Sequence, residues 1–373
     1  MQLWIFVKNI YPANFIVKKE LTGLAFLLFL GISTPFLFSG YRIQMAELFL
    51  FMVYASTWNI QGGKMGYNTF GNIVFFGVGM YVCSATQIAV AFPLGEWTAA
   101  GGYKTFVHTP QQYFLGIPFG ILLAGIIPAI IALIIGSALL VLRGHYFAIG
   151  TLGLGIASGE FATSLEIIGG GQGMTVPFWP KVAGLPHAFL GGGVNFFFTL
   201  SFLLFLSVFF FLRWLYKTRF GLILTAIRDN EDKAESMGIP TMHYKVTGWV
   251  FSAFFMGIAG GIFGNINGYI EPTEVAFAGA TVGVFMVLMT ILGGKGTLWG
   301  PIIGAFIFQL FKEFFWTYFL GWQLVALGAL IIGIIIFFPE GIMGMLRHKY
   351  PALFGEVVDE EARLAQVTIN TDD

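Results

Sequence analysis

Uncharged apolar runs that are long enough to cross a lipid bilayer recur along the whole chain. A helix needs about 20 mainly apolar residues to span a hydrocarbon core of about 30 Å. Only 10% of the 373 residues are charged and 57% are hydrophobic, whereas a soluble domain carries about 25% charged residues. The chain has too few polar side chains to face water on every side, so the sequence predicts an integral membrane protein.

The apolar runs predict an all-α membrane protein with about ten transmembrane helices. The eighth run is short and flanked by glycines, so we expect it to be tilted, broken or partly re-entrant. A transmembrane domain over residues 21–345 is preceded by an interfacial lead-in over 1–20 and followed by an acidic, polar tail over 346–373. The runs lie near residues 21–39, 43–62, 66–91, 113–141, 146–167, 194–215, 246–268, 279–294, 300–319 and 322–338.

Basic residues set the orientation, because short cytoplasmic loops carry an excess of Lys and Arg. With both termini inside, 15 of the 19 basic residues lie on the cytoplasmic side. Only Arg42, Lys104 and Lys181 lie outside, and Lys312 falls within the ninth run. The sequence therefore predicts a multi-pass protein with both termini in the cytoplasm.

The longest cytoplasmic loop, residues 217–245, concentrates the charge of the chain. Gly238 and Pro240 follow its apolar positions, where helices commonly end. The pattern predicts one or two short amphipathic helices on the cytoplasmic face, which serve either as a solvated connector or as a docking element for a cytoplasmic partner. Its apolar residues at near-helical spacing are Leu222, Ile223, Ala226, Ile227, Ala234 and Met237.

Catalytic, metal and nucleic-acid motifs are absent from the sequence. A phosphate-binding loop needs G-x-x-x-x-G-K-[ST], but Lys64 is followed by Met65 and Lys295 by Gly296. The histidines show no ligand spacing, Cys83 is the only cysteine, and the scattered bases form no cluster for nucleic acid. We expect a chain that is not an enzyme, binds no cofactor or metal, and draws energy from another subunit or an ion gradient.

Ionisable residues inside predicted crossings are candidates for function, because they are costly in a membrane. Glu160 lies deepest, among small residues that permit close helix packing. A helix-to-helix hydrogen bond is the favoured interpretation, with proton or ion coupling as the alternative. The other candidates are Glu47, Glu166, and the neighbours Lys312 and Glu313.

Glycine-rich segments stand out on both sides of the membrane. The stretches 62–79 and 293–308 both begin with Gly-Gly-Lys, join crossings on the cytoplasmic side and hint at a duplicated architecture. A third segment, residues 167–180, lies on the side from which a solute would arrive.

Several of these stretches resemble the M-type permease subunits of ABC importers for branched-chain and related neutral amino acids. The resemblance covers about residues 45–345 and keeps the order and spacing of the family's segments. It rests on LRGHYFAIGTLGLG at 142–155, GGGQGMTVP at 169–177, residues 219–264 around RDNEDKAESMGIP, LGGKGTLWGPIIGA at 292–305 and FPEGIMG at 338–344.

The resemblance implies a permease of a bacterial inner membrane that works with other subunits. These are a second, H-type permease subunit, two cytoplasmic ATPase subunits that use ATP and Mg, and a periplasmic solute-binding protein. The long cytoplasmic loop would carry the coupling helix, which sits in a groove of the ATPase. Carried onto this chain, the coupling role falls on residues 226–238, with the candidates Arg219, Ala226, Arg228, Asp229, Glu231, Ala234 and Gly238.

The translocation path has four candidates: Asn72, Glu160, Gly170 and Gly173. Asn72 is also a departure from the family, because the third crossing commonly begins with a motif like S-L-G-H and here reads Thr-Phe-Gly-Asn at 69–72. A neutral amide thus replaces an imidazole, which leaves urea or short-chain amides as the alternative solute. An ion-coupled secondary transporter that uses Glu160 is the alternative from another class.

Overall fold

The structure is a computed structural model that describes residues 13–37, 39–180, 192–319 and 341–349, with scattered positions between 321 and 336. Residues 1–12 of the lead-in, Lys181, most of the predicted tenth crossing and the tail from residue 350 lie outside the described residues. The helices are α1 (Ala13–Leu37), α2 (Arg42–Asn59), α3 (Asn72–Ala89), α4 (Leu94–Ala99), α5 (Pro110–Leu139), α6 (Gly144–Thr163), α7 (Gly193–Lys217), α8 (Arg219–Asp229), α9 (Glu231–Ser236), α10 (Thr241–Asn267), α11 (Val284–Gly293), α12 (Gly300–Tyr318) and α13 (Gly341–Lys349).

The described helices confirm an all-α membrane fold. Five segments are long and apolar enough to cross a membrane: α3, α5, α7, α10 and Pro272–Gly293. Within the same described residues, Thr22–Leu37 and Ser39–Met65 meet the criterion together as a pair bent by 109°, which gives up to six. The count of ten crossings stays a prediction.

Two predicted crossings have different limits in the structure. The third was placed from residue 66, but α3 begins only at Asn72, because the left-handed φ of +78° at Gly66 ends the preceding helical segment. The fifth was placed to residue 167, but α6 ends at Thr163. Glu166 therefore lies in a short 3₁₀ turn, Glu166–Ile168, and is exposed.

The eighth crossing, predicted over 279–294, begins with a π-helical turn that runs directly into α11, and Pro272–Gly293 as a whole is one of the five apolar spans. Two π-helical turns, Pro272–Ala276 and Gly279–Gly283, precede α11. A third π-helical segment, Ile60–Met65, extends α2 into the first glycine-rich hairpin. Such turns are uncommon and often mark functional positions, because they leave the regular helical hydrogen-bond pattern.

Small residues let α10 pack directly against α3 and α5 in the centre of the bundle. A Cβ atom on Gly257 would collide with the carbonyl oxygen of Ala124, and one on Gly260 with the carbonyl oxygen of Phe76. Lipid gives helices no hydrophobic drive to associate, so close backbone approach supplies much of the packing energy. These three helices form the framework to which the polar ends are attached.

A two-stranded antiparallel sheet ties the loops at the end of the bundle that was predicted to be external. It pairs β1 (Met174–Thr175) with β2 (Tyr269–Ile270), with Met174 opposite Ile270. Trp97 Nε1 also donates to the Thr175 carbonyl at 2.9 Å. The glycine-rich outer segment is therefore held against the loop that follows α10.

Candidate functional site

The long polar loop forms two short helices, α8 and α9, that lie at one end of the bundle. The side chain of Asn230 starts α9 by accepting from the Lys233 backbone N–H at 2.9 Å, as helix-capping residues do. Gly238 ends it with a φ of +83° and donates its N–H to the Glu235 carbonyl at 2.8 Å. A left-handed glycine at this position is a common way to stop a helix.

The apolar side chains of α8 and α9 divide between two faces. Leu224, Ile227 and Ala234 are buried against the rest of the chain. Leu222 is 68% exposed and Met237, just after α9, is 82% exposed. An apolar surface at the charged end of the protein is typical of a site that a partner covers.

A buried ion pair fastens α9 to the bundle. Lys245 Nζ lies 2.7 Å from Glu231 Oε1, and their side chains are only 2% and 10% exposed. Lys245 also donates to the Leu140 carbonyl at 2.9 Å and to Tyr67 Oη at 3.2 Å. The Tyr67 hydroxyl donates to the second oxygen of Glu231. We call Glu231, Lys245 and Tyr67 the Glu231 clamp.

Arg143 extends the Glu231 clamp to the start of α6. Its Nε atom lies 3.8 Å from Glu231 Oε2, and its Nη1 atom donates to Asp232 Oδ1 at 2.7 Å. The hydrogen bond to Asp232, followed by the charges of Glu231 and Asp232, raises the pKa of the Arg143 guanidinium. The guanidinium therefore lies beside two carboxylates of α9.

The clamp keeps Glu231 ionised. Burial alone would raise the pKa of Glu231, but hydrogen bonds from Lys245 and Tyr67 and the charges of Lys245 and Arg143 together lower it. Burial and the hydrogen bond to Glu231 raise the pKa of the Tyr67 hydroxyl, so Tyr67 remains a neutral donor. The site thus holds a carboxylate between two cations and a phenol.

The two glycine-rich hairpins meet under α8. Asn59 accepts from the Gly296 backbone N–H at 2.7 Å and donates to the Thr297 carbonyl at 2.8 Å. Arg228 lies over this junction, with Nη1 3.5 Å from the Gly63 carbonyl oxygen. The same guanidinium binds Asp229 Oδ1 at 2.9 Å. The similar sequences therefore contact each other directly, and α8 rests on both.

The coupling candidates occupy different surroundings. Arg219 is exposed at the start of α8, and Ala226 is half-buried. Arg228 and Asp229 are exposed and pair with each other. Ala234 packs inside the chain and Glu231 points into the clamp, so neither offers its side chain to the exposed face.

The path candidates do not lie together at one position. Asn72 is buried at the start of α3, where its amide donates to Ser252 Oγ and accepts from Trp249 Nε1, both at 3.1 Å. Glu160 is exposed near the outer end of α6. Gly170 and Gly173 have positive φ angles in the outer segment, and a Cβ on Gly173 would collide with the Ile270 carbonyl.

Large apolar side chains line one exposed face of α6. Tyr146, Ile149 and Ile156 are 77%, 68% and 61% exposed at helical spacing, and Glu160 continues the same line one turn further. If this stripe met lipid, the Glu160 carboxyl group would be costly there. This face is therefore suited to a contact with protein or to a hydrated path.

The outer end contains a cavity of about 560 Å³. Its walls come from the start of α2, the start of α7, the outer segment and the turn after α10. They include Ile43, Tyr113, Trp179, Phe197 and Asn265. The lining is mainly apolar, as small-molecule sites commonly are.

Sequence reasoning did not identify Tyr67, Arg143 and Lys245 as the partners of Glu231, and it did not identify a second ion pair. Tyr67 lies between α2 and α3, Arg143 just before α6 and Lys245 in α10, and the positive-inside count used only the charges of Arg143 and Lys245. Lys312 Nζ lies 2.6 Å from Glu47 Oε2, although the two residues are 265 positions apart. The sequence shows that these side chains are charged and lie in or near predicted helices. It does not specify which of the charges pair with each other.

Comparison with known proteins agrees with this architecture. The family model described as "Branched-chain amino acid transport system / permease component" matches residues 44–338. The high-affinity branched-chain amino acid transport system permease protein LivM of Salmonella typhimurium and that of Escherichia coli are each 26% identical over 93% of this chain and 80% of their own length. No solved structure matches the chain.

A shorter segment is similar to other permeases. The probable branched-chain amino acid transport permease protein LivH of Methanocaldococcus jannaschii is 27% identical over 35% of this chain and 42% of its own. The nucleoside ABC transporter permease protein NupC of Lactococcus lactis is 30% identical over 26% of this chain and 30% of its own.

Proposed function

Because the chain belongs to the family of branched-chain amino acid transport system permease components, we propose that it is the membrane-spanning subunit of an ATP-driven importer. The solutes are branched-chain and other neutral amino acids, which a periplasmic binding protein delivers to the outer end. The chain itself hydrolyses nothing, and two cytoplasmic ATPase subunits use ATP and Mg.

The exposed apolar surface of α8 and α9 is the observation that supports this function best. Leu222 and Met237 lie at the end of the bundle that carries the basic loops. If this end of the bundle faces the cytoplasm, lipid does not cover the exposed apolar surface. We infer that a groove of a partner protein covers it and removes it from water. We assign this groove to the ATPase, with Ala226, Arg228 and Asp229 beside the contact and Gly238 as its end.

The second permease subunit accounts for the exposed face of α6. An H-type partner that packs there would place Glu160 and the apolar stripe of α6 at the subunit boundary. A path between two subunits needs only a surface that a solute can pass, because the binding protein selects the solute. The outer cavity and the segment with Gly170 and Gly173 lie on the side where that protein docks.

The test is the ATPase activity of the complete complex in lipid nanodiscs. The binding protein is added after loading with leucine, alanine, glycine or urea, with unloaded binding protein as the control. Stimulation by leucine or alanine supports the proposed importer. Stimulation by urea alone would assign an amide importer. Absence of a co-purifying ATPase, with uptake driven by a proton or sodium gradient, would contradict the proposal.

A further inference from the structure

The Glu231 clamp, together with Arg143, joins α9, which we propose to bind the ATPase, to the end of α5 and the start of α6. Glu231 belongs to α9, Lys245 to α10, and Tyr67 to the loop between α2 and α3. The carbonyl that Lys245 binds belongs to Leu140, the residue that caps the C-terminal end of α5. Arg143 then precedes the first residue of α6. Together with Arg143, the Glu231 clamp therefore connects α9 with α10, the end of α5 and the start of α6.

Every hydrogen-bonding position of the buried ammonium is used. Lys245 has three N–H donors, and they meet the oxygens of Glu231, Leu140 and Tyr67 at 2.7, 2.9 and 3.2 Å. Both oxygens of Glu231 are also occupied. A saturated network of this kind fixes the distance and the angle between its elements, whereas apolar contacts alone allow helices to slide.

Stability alone does not explain a buried ion pair. Its desolvation cost is of the same order as its Coulomb energy, and apolar replacements of such pairs are often as stable. Gly144, which follows Arg143 and begins α6, has a φ of +57°, a backbone conformation that glycine adopts without strain. A saturated network that contacts both α9 and the start of α6 is suited to pass a displacement of one helix on to the other.

We propose that Glu231 and Lys245 are positioning residues for energy coupling, which transmit movement of α8 and α9 to the α5–α6 junction. This inference rests on the proposed function, since it requires an ATPase that moves α8 and α9. Loss of the pair leaves the exposed face of these helices intact. ATP hydrolysis then continues while transport per ATP falls.

The decisive variant removes both charges together. Glu231→Gln/Lys245→Met leaves no unpaired buried charge, whereas Lys245→Met alone strands the Glu231 carboxylate and serves as the harsher comparison. Lys217→Met is the matched control. It makes the same substitution at an exposed lysine at the end of α7, outside the clamp and outside α8 and α9.

Leucine uptake and ATP hydrolysis are measured in the same proteoliposomes, with the whole complex and the loaded binding protein. We expect the double variant to retain the ATPase subunits and to hydrolyse ATP, while leucine moved per ATP falls at least about five-fold, the lower end of ordinary coupling energies. Lys217→Met should keep the wild-type ratio.

Three results would contradict these proposals, and they distinguish failure of the clamp's role from failure of the proposed function. An unchanged ratio in the double variant would overturn the clamp's role while leaving the importer intact. Loss of the ATPase subunits from a variant that still melts like wild type would also overturn it, because the clamp would then serve docking. If the wild-type complex shows no solute-stimulated hydrolysis, the proposed function itself fails.

Discussion

At the scale of single residues, several charged side chains pair with partners that are distant in sequence. Glu47 and Lys312 each qualified as a membrane-embedded candidate from sequence, yet the structure pairs them. Lys245 likewise counted only as a cytoplasmic base, although its side chain is buried. Sequence identifies which charges are costly, because burial follows from the apolar runs. It does not identify pairs, because those depend on how the helices are arranged.

The lowered pKa of Glu231 predicts how the clamp responds to acid. A carboxyl whose pKa is lower in the folded state stabilises the fold above its unfolded pKa, near 4.5, and loses that contribution as pH falls through the folded value. Glu231→Gln should therefore unfold more easily than wild type at pH 6 to 8, by about 2 kcal/mol. The gap should narrow as the pH falls below 4.5.

Thermal unfolding of both proteins in the same detergent between pH 3.5 and 8 measures this gap. Glu96→Gln, which changes an exposed carboxyl on α4 at the other end of the bundle, controls for a general charge effect. A difference between wild type and Glu231→Gln that stays constant down to pH 3.5 would show that ionisation of Glu231 does not stabilise the fold.

At the scale of elements, apolar runs predicted helices well and their faces poorly. The run at 113–141 corresponds to α5, Pro110–Leu139, and the run at 194–215 to α7, Gly193–Lys217. In the coupling loop, Leu222 and Met237 fit the predicted apolar stripe, but both are exposed and Leu224 is buried instead. Periodicity reports that a helix is two-sided, whereas the surrounding helices decide which side is inside.

The end of α9 depends on glycine. Gly238 has a φ of +83° and open space around its Cα, so the only cost of a side chain there is backbone strain, about 1–2 kcal/mol for alanine. Gly238→Ala should weaken α9 by this amount and reduce transport. Gly238→Pro should abolish transport with the protein still in the membrane, because proline fixes φ near −65°.

Uptake assays and membrane immunoblots measure these effects. Gly95→Ala is the matched control, since Gly95 lies in α4 with open space and an ordinary φ. Wild-type uptake in Gly238→Pro would mean that the left-handed turn after α9 has no part in coupling.

At the scale of the whole molecule, the structure sorts the loops into two ends. Gly63, Leu140, Arg228, Lys245 and Thr297 meet at one end through the clamp and the joined hairpins. The outer segment, β2 and the start of α7 meet at the other. The distribution of Lys and Arg predicted the same division of the loops, because successive loops alternate between the two sides of the membrane. It contained no information on the bonds within either end.

The predicted orientation can be tested with thiol labelling. Cys83 is buried, so the wild-type chain should give little background with a membrane-impermeant maleimide. Phe178→Cys, at an outer position that is 74% exposed, should react in intact spheroplasts. Met237→Cys, at a position that is 82% exposed, should react only after permeabilisation when the chain is expressed without its partners.

Labelling of Met237→Cys in intact spheroplasts, with Phe178→Cys protected, would show that the orientation is the reverse of the predicted one. The helices α8 and α9 would then not lie in the cytoplasm. Reaction of the wild-type chain itself would show instead that Cys83 is accessible, and a Cys83→Ser background would then be required before either position is interpreted.

The bonds between the two hairpins also set the order in which the protein becomes complete. Asn59 is synthesised 238 positions before Thr297, and a ribosome makes the chain from its N-terminus. Until residue 297 has been made, the Asn59 amide has neither Gly296 nor Thr297 as a hydrogen-bond partner. A chain that is truncated before the second hairpin therefore lacks both bonds that tie the end of α2 to that hairpin.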